Sequence, residues 1–196
     1  MISLFLFKKQ KERVVLKTLL GYASKYGATN QYAPVLADML EGEVDVVDLK
    51  ETKQIEFSQY HKVILFSAVY AGDVPKYVKK FGKKYHMELL QRHFGICFCC
   101  MTEIYNQIKG YALNSFSRDL VNHAACIASI GGYFQYDKMT VVEKKLLKIA
   151  TKNQAYKKGE LIQLDGKTNF STIEEYKIQA FANKMNGILV EQNVSG

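Results

Sequence analysis

The segment 24–29 combines residue types that can bind a phosphate group. It reads Ser-Lys-Tyr-Gly-Ala-Thr, with a hydroxyl at each end and one glycine between them, and a predicted helix follows it. Backbone N–H groups at a helix N-terminus, with Ser24 and Thr29 as hydroxyl donors, would form a phosphate cradle. The segment has neither the G-x-x-x-x-G-K-S/T pattern of P-loop nucleotidases nor the G-x-G-x-x-G dinucleotide pattern. The alternative is an ordinary strand-to-helix turn in which Thr29 or Asn30 caps the helix.

Two further segments carry an aromatic side chain among small or polar residues. Segment 67–73 reads Ser-Ala-Val-Tyr-Ala-Gly-Asp, and segment 102–105 reads Thr-Glu-Ile-Tyr. Small residues around Tyr70 would let the backbone approach a flat ligand while the ring covers it, and Tyr105 offers a second aromatic. With the phosphate cradle, these segments predict a site for a planar, singly phosphorylated ligand.

The elements that would position these segments alternate along the chain. Apolar runs at 17–23, 62–68, 93–101 and 124–130 predict buried strands, and a less strict run at 43–49 predicts a strand nearer the sheet edge. Apolar stripes at helical spacing predict helices through 32–40, 74–85, 106–121 and 173–188, the last with a capping box formed by Ser171 and Glu174.

Alternating strands and helices predict an α/β fold, a doubly wound five-stranded parallel sheet in the order 2-1-3-4-5 with helices on both faces. In such sheets ligands bind beyond the carboxyl ends of strands 1, 3 and 4, where the strand order reverses. We expect one domain over 14–190, with a basic insertion at about 132–165, an N-terminal extension over 1–13 and a tail over 191–196.

The segment 22–29 resembles the phosphate loop by which flavodoxins bind flavin mononucleotide (FMN). The wider chain is similar to bacterial menaquinone-dependent protoporphyrinogen IX dehydrogenases, a family of flavodoxin-like proteins. Segments 67–81, 131–159 and 168–185 carry this narrower resemblance, as a tyrosine-containing loop, an insertion and a closing helix. The resemblance implies that FMN is the cofactor.

The resemblance also implies which residues bind the cofactor. Those that would hold the phosphate are Ser24, Lys25, Tyr26, Gly27, Ala28 and Thr29. Those that would border the isoalloxazine ring are Ala68, Val69, Tyr70, Ala71 and Gly72, with Thr102 on its other side. Because the chain has no tryptophan, Tyr70 or Tyr105 would stack on the ring. Since the flavin performs the redox chemistry, no catalytic acid or base and no metal ligand is predicted. The sequence places no acidic partner for His86, His93 and His123, which are predicted to be structural.

The insertion carries much of the positive charge. The chain has 27 Lys and Arg against 19 Asp and Glu, a formal net charge of +8. Lysines would lie opposite an apolar helical face; they are Lys144, Lys145, Lys148 and Lys152. Such a helix can lie on an anionic membrane, where it would meet a quinone or hold the carboxylates of a porphyrin. The alternative is a surface helix docked on the sheet edge with its lysines in solvent.

Two functions remain open on these residues. The first is an FMN-dependent oxidoreductase that takes electrons from a porphyrinogen, or another anionic small molecule, and passes them to a quinone or a redox partner protein. The second is a flavodoxin-type electron carrier without a small-molecule substrate. Flavodoxins are generally acidic, so a net charge of +8 favours the enzyme. Nucleic-acid binding is rejected, because the lysines are spread over several helices with no binding module.

The compartment is predicted from absent signals and from the cysteines. No apolar run reaches the length of about 18 residues needed to span a bilayer, and the N-terminal charges follow the apolar run instead of preceding it. Cys97, Cys99, Cys100 and Cys126 lie in apolar runs, which predicts buried reduced thiols rather than a redox pair or a zinc site. We expect a cytoplasmic protein that contacts the inner face of the cell membrane.

Overall fold

A computed structural model of the protein describes residues 16–24, 27–70, 72–142, 144–145 and 169–188. Several sequence predictions lie outside these residues: the N-terminal extension, the tail and most of the insertion, together with Lys25, Tyr26, Ala71, Lys148 and Lys152. Within the described ranges no helix is long and apolar enough to cross a bilayer. The same ranges contain no cluster of three or more histidine, cysteine, aspartate or glutamate residues suited to a metal ion.

Five parallel strands form one sheet in the order β2-β1-β3-β4-β5, which confirms the predicted fold. The strands are β1 (Lys17–Ala23), β2 (Glu43–Asp48), β3 (Lys62–Ala68), β4 (His93–Cys99) and β5 (Cys126–Ser129). β1 and β3 have the predicted bounds, whereas β4 ends two residues early. β4 ends at Cys99, and the carbonyl of the next residue, Cys100, accepts a hydrogen bond of 2.9 Å from the Ser129 hydroxyl.

Helices cover both faces of the sheet. They are α1 (Ala28–Asp38), α2 (Lys76–Lys84), α3 (His86–Leu90), α4 (Tyr105–Ser115), α5 (Arg118–His123) and α6 (Glu175–Asn186). Successive residues of β3 point to opposite faces. Val63 and Leu65 pack with the residues of α2 to α5, and Ile64 and Phe66 pack with those of α1 and α6. All four are fully buried, which explains the continuous apolar run in the sequence.

The single helix predicted over 106–121 is wrong, because the chain forms α4 and α5 instead. Phe116 between them is extended, with φ −130° and ψ 162°, and its ring is buried against Gly82. A Cβ at Gly82 would lie 2.6 Å from that ring, so α2 and Phe116 fit only because residue 82 is glycine. The burial of the Phe116 ring thus interrupts the helix that the local apolar pattern predicted.

The capping box predicted for the last helix is also wrong. The N-cap residue of α6 is Glu174, and no described side chain caps the helix. The Ser171 hydroxyl accepts from the Ile173 N–H instead. The Glu174 carboxylate pairs with Lys177 one turn along the helix. Since the helix begins at Glu175, Glu174 is the N-cap residue itself and not the third helical residue that a capping box requires.

The segment after β5 folds back on the sheet edge. Gly131 has a φ of +103°, and a Cβ there would lie 2.1 Å from the Thr172 carbonyl. The short strand β6 (Tyr133–Phe134) then pairs antiparallel with β7 (Phe170–Ser171). Residues 141, 142, 144 and 145 are helical, and the apolar side chain of Val142 is 66% exposed. The basic amphipathic helix as a whole therefore stays a prediction.

All four cysteines lie in described positions and carry free thiols. Cys97, Cys99 and Cys100 are buried, and Cys126 is half-buried. Burial is therefore as predicted for three of the four cysteines, and their reduced state stays a prediction. Burial raises the pKa of the Cys97 thiol well above its usual value.

Candidate functional site

The predicted phosphate loop begins where β1 ends and is closed by one hydrogen bond. Ser24, 6% exposed, directly follows β1, and its hydroxyl oxygen accepts from the Gly27 N–H over 2.8 Å. Gly27 has a φ of +99° and is the N-cap residue of α1, with no capping side chain among the described residues. The first-turn N–H groups that follow Gly27 therefore face the space beyond β1, as a phosphate cradle requires.

Thr29 and Asn30 have other partners than the sequence suggested. The Thr29 side chain is fully buried, and its hydroxyl donates to the Ala23 carbonyl over 3.0 Å. Asn30 accepts from the Tyr22 hydroxyl over 2.8 Å. Neither residue caps α1, because Gly27 takes that position. Thr29 thus ties the helix to the strand, and its hydroxyl reaches a phosphate only after it rotates away from Ala23.

Lys50 is a neighbour of the phosphate loop that the sequence did not reveal. It follows β2, which pairs with β1, and the Leu49 N–H donates to the Tyr22 carbonyl over 2.8 Å at the end of that pair. The Lys50 ammonium group in turn donates to the Ser24 carbonyl. A positive charge therefore lies against the first residue of the loop, where it favours an anionic ligand.

Gln135 is the second neighbour that sequence reasoning missed. It lies between β6 and a 3₁₀ turn over Tyr136–Lys138. A Cβ built on Gly27 would lie 3.9 Å from the Gln135 Oε1, which is the nearest atom to it outside the loop. That Oε1 is buried and has no hydrogen-bond partner among the described residues. An amide oxygen would repel a phosphate, but rotation of the carboxamide turns its N–H donors to the space beside Gly27, where a phosphate could accept from them.

The second predicted segment forms a tight turn at the end of β3. Tyr70 and Asp73 exchange two backbone hydrogen bonds of 2.7 and 3.0 Å, with Gly72 at a φ of +83°. The Val69 N–H donates to the Cys99 carbonyl over 3.1 Å and ties this turn to β4. Tyr70 is partly buried against the cluster on the α1 side of the sheet. The turn can therefore border a flat ring with backbone and with the face of a tyrosine.

The third segment, after β4, is held by Thr102. Its side chain is 7% exposed, donates to the Gln107 Oε1 over 2.6 Å and accepts from the Ile104 N–H over 3.2 Å. The bond to Gln107 joins this loop to α4. The first residue of α4, Tyr105, is 55% exposed. Tyr105 is therefore accessible for stacking on a ring, although Thr102 itself is engaged within its own loop.

The carboxylates of these segments are paired with lysines. Asp73 lies 2.5 Å from the Lys79 ammonium group, and Glu103 lies 2.9 Å from Lys177. The two glutamate partners of Lys177 raise the pKa of that lysine, against the effect of burial. These carboxylates position the loops and are not free bases. The absence of a catalytic acid or base stays a prediction.

The histidine prediction needs one correction. We expected no acidic partner for His86, but its Nε2 lies 3.0 Å from the Asp119 carboxylate. A hydrogen bond from Ser117 and then one from His86 lower the pKa of Asp119 to about 2. This pair joins α3 to α5, while burial lowers the pKa of His93 at the amino end of β4. Both histidines lie at the sheet edge opposite the predicted loops, consistent with a structural role.

The sheet order brings the three predicted segments together. β1, β3 and β4 are parallel neighbours, so Ser24, Gly27, Ala28 and Thr29 share one edge with Ala68, Val69, Tyr70, Gly72 and Thr102. Their roles in binding stay predictions. The fold defines a class of proteins, those with a doubly wound parallel sheet whose ligands bind beyond the carboxyl ends of its strands.

Comparison with known proteins gives the family. The model of the flavodoxin domain matches residues 19–160, and the chain belongs to this family. Membership supports FMN as the cofactor, as the sequence predicted, and also supports a role in electron transfer. No curated protein matches the chain.

Solved structures similar to the chain are flavodoxins and flavodiiron proteins. Flavodoxin 1 from Bacillus cereus is 15% identical, with 71% of this chain and 98% of that chain covered and a TM-score of 0.41. Flavodoxin from Streptococcus pneumoniae TIGR4 is 18% identical, with 69% and 99% covered and a TM-score of 0.41. The flavodiiron protein from Giardia intestinalis is 12% identical, with 86% and 36% covered and a TM-score of 0.45.

The chain covers a minor part of the flavodiiron proteins that it matches. It spans 28% of the Synechocystis flavodiiron core and 34% of the Desulfovibrio gigas rubredoxin oxygen:oxidoreductase.

Proposed function

We propose that this protein binds FMN at the carboxyl edge of the sheet and acts as an FMN-dependent oxidoreductase. The observation that carries the proposal is the loop after β1, in which the Ser24 hydroxyl oxygen accepts from the Gly27 N–H at the start of α1. Membership of the flavodoxin-domain family supports the same cofactor.

Each side of the site has a distinct task in this proposal. The Ser24 hydroxyl, whose proton remains available, and the first-turn N–H groups of α1 donate to the phosphate. The Lys50 ammonium group contacts the Ser24 carbonyl and offsets the negative charge of the phosphate. The turn from Ala68 to Gly72 borders one side of the isoalloxazine ring, and the loop at Thr102 borders the other.

Bound FMN supplies a redox centre that accepts or releases two electrons. The chain's own residues bind and orient it. The Val69–Cys99 backbone bond and the Thr102–Gln107 bond fix the two loops that would flank the ring. Asp73 and Glu103 are each paired with a lysine. Their carboxylates therefore do not disfavour negative charge on the reduced flavin.

For the reaction, we propose oxidation of an anionic reduced substrate with transfer of electrons to a quinone, as in menaquinone-dependent protoporphyrinogen IX dehydrogenases. The resemblance of segments 67–81 and 168–185 and the net charge of +8 support this choice. Lysines of the insertion would contact an anionic membrane, where the quinone is dissolved; those in described positions are Lys144 and Lys145. A cytoplasmic location belongs to the same proposal.

A flavodoxin-type electron carrier is the second candidate, and family membership is compatible with it. The two functions differ in whether the protein oxidises a small molecule by itself. The FMN-loaded protein is mixed with protoporphyrinogen IX and a soluble quinone without oxygen, and porphyrin fluorescence is followed, with free FMN at the same concentration as control.

Porphyrin formation well above the free-FMN rate, with reduction of the quinone, supports the dehydrogenase. A protein that stays oxidised with protoporphyrinogen, but passes electrons from dithionite to cytochrome c, is a carrier. Failure of the protein to bind FMN contradicts both functions.

A further inference from the structure

We propose that Gln135 is an additional ligand of the FMN phosphate, and that it makes the site select FMN over riboflavin. This inference rests on the proposed function, because it assigns a residue to the phosphate end of that site. Gln135 comes from the segment after β5, which is remote in sequence from the loop after β1.

The first support is the position of the Gln135 side chain against the loop. Its Oε1 lies 3.9 Å from where a Cβ on Gly27 would stand, nearer than any other described atom outside the loop. Gly27 is the N-cap of α1, where N–H groups would point at a phosphate. The carboxamide and the helix N-terminus therefore face the same small space.

The second support is the unsatisfied state of that oxygen. Gln135 Oε1 is buried, and no group in the described part of the chain forms a hydrogen bond with it. Proteins seldom retain a buried polar atom in this state unless a ligand or an ion completes its hydrogen bonding. Rotation about the last side-chain torsion exchanges the oxygen and the NH2 group, so the same carboxamide can present two N–H donors to an anion.

The third support is the rigid backbone that carries Gln135. The Gln135 carbonyl accepts from the Lys138 N–H over 3.0 Å, and the adjacent Tyr136 is only 1% exposed. On the other side, the Gly132 N–H donates to the Thr172 hydroxyl oxygen over 2.9 Å, and the Thr172 N–H donates to the Gly132 carbonyl over 2.8 Å. These contacts hold the backbone that carries Gln135 in place before any ligand binds, which reduces the cost of binding.

Charge complementarity favours a phosphate as the occupant. The Lys50 ammonium group contacts the Ser24 carbonyl, and the neutral carboxamide of Gln135 lies beside Gly27. The site thus presents a cation, a helix N-terminus and an amide within one region, and no described carboxylate contacts Gln135. Riboflavin lacks the phosphate and gains nothing from these groups.

The test compares two flavins on two variants of the full chain. Gln135→Leu removes the hydrogen-bonding group, and Gln135→Glu keeps the shape and adds a negative charge. Gln179→Glu is the control, because Gln179 is exposed on α6 and bonds only to Asn183 on its own helix. Each protein is titrated with FMN and with riboflavin by quenching of flavin fluorescence, and the phosphorus resonance of bound FMN is recorded by 31P NMR.

We expect Gln135→Leu to raise the dissociation constant for FMN about tenfold and that for riboflavin less than about twofold. Gln135→Glu should weaken FMN further, because like charges then face each other, while Gln179→Glu changes neither constant. The 31P resonance should shift in Gln135→Leu. Near-ultraviolet circular dichroism of the isosteric Gln135→Glu variant shows that the fold is kept.

Equal losses for both flavins, or unchanged FMN binding in both variants, would overturn the inference while leaving the FMN site intact. A wild-type protein that binds FMN no better than riboflavin would overturn this inference together with the proposed phosphate site.

Discussion

The hydroxyl oxygen of Ser24 accepts a hydrogen bond of 2.8 Å from the N–H of Gly27. This bond joins the residue that follows β1 to the residue that precedes α1, and it closes the loop between them. A hydroxyl that accepts can also donate, and no described residue accepts the Ser24 proton, so it can serve a ligand. The same side chain therefore shapes the loop and can bind the phosphate.

Replacing Ser24 tests this double role. Ser24→Ala removes both the Gly27 contact and the phosphate donor, so we expect the dissociation constant for FMN to rise about tenfold or more. Ser24→Thr keeps the hydroxyl and is the matched control, with a change of less than about threefold. Fluorescence titration measures both. Equal affinities for FMN in wild type and Ser24→Ala would remove this residue from the site.

Lys50 should affect the phosphate through its charge. Lys50→Met removes the cation beside the Ser24 carbonyl, and we expect FMN to bind about three- to tenfold more weakly, with a smaller dependence on salt. Riboflavin should be unaffected. Lys53→Met, an exposed lysine on the same stretch of chain, is the control for loss of one positive charge. A loss of the same size in Lys53→Met would show that only the overall charge matters.

Replacement by alanine should lower the free energy of unfolding at Gly27, the N-cap of α1, and raise it at Gly110, inside α4. Gly27→Ala places a Cβ in a residue with a φ of +99°, and we expect a loss of about 1 kcal/mol in the free energy of unfolding. Gly110→Ala lies inside α4 with open space around it and should gain about 0.5–1 kcal/mol. Urea denaturation measures both. A neutral Gly27→Ala would show that α1 can begin without a left-handed residue.

Ionisation of the buried cysteine thiols should lower the free energy of unfolding at alkaline pH. Burial raises the pKa of the Cys99 thiol to about 12, from a usual value of 9.0. The unfolded chain therefore loses thiol protons first, so this contribution is intact below pH 9 and is lost as the pH rises towards 12. We expect the free energy of unfolding to decrease over that range, and a matched Cys99→Ala variant to decrease less steeply.

The same burial predicts which thiols are reactive. In native protein at pH 8, iodoacetamide should leave Cys97, Cys99 and Cys100 unmodified, whereas half-buried Cys126 reacts slowly. All four should react in denaturant, as mass spectrometry of the peptides would show. Fast native modification of both Cys97 and Cys100 would contradict this account and support a redox pair.

The sequence was informative where structure depends on local pattern. The apolar runs predicted β1 and β3 to the residue, because strands buried on both faces must be apolar throughout. The alternation of elements then predicted the strand order, and with it the edge where the loops at Ser24, Tyr70 and Thr102 meet.

Contacts between distant segments could not be predicted in this way. Lys50 reaches Ser24 only because β2 lies beside β1, and Gln135 reaches Gly27 only because the segment after β5 folds back. Likewise, the helix break at Phe116 depends on the space that Gly82 leaves on α2, which no local pattern in 106–121 encodes.

The measurement that tests the central claim most directly is a titration of the purified apoprotein with FMN, and in parallel with riboflavin, followed by flavin fluorescence and the visible spectrum. We predict one FMN bound per chain, with quenched fluorescence and an affinity well above that for riboflavin. No binding of FMN at tens of micromolar, or equal binding of the two flavins, would contradict the phosphate loop at Ser24 and Gly27 and the function built on it.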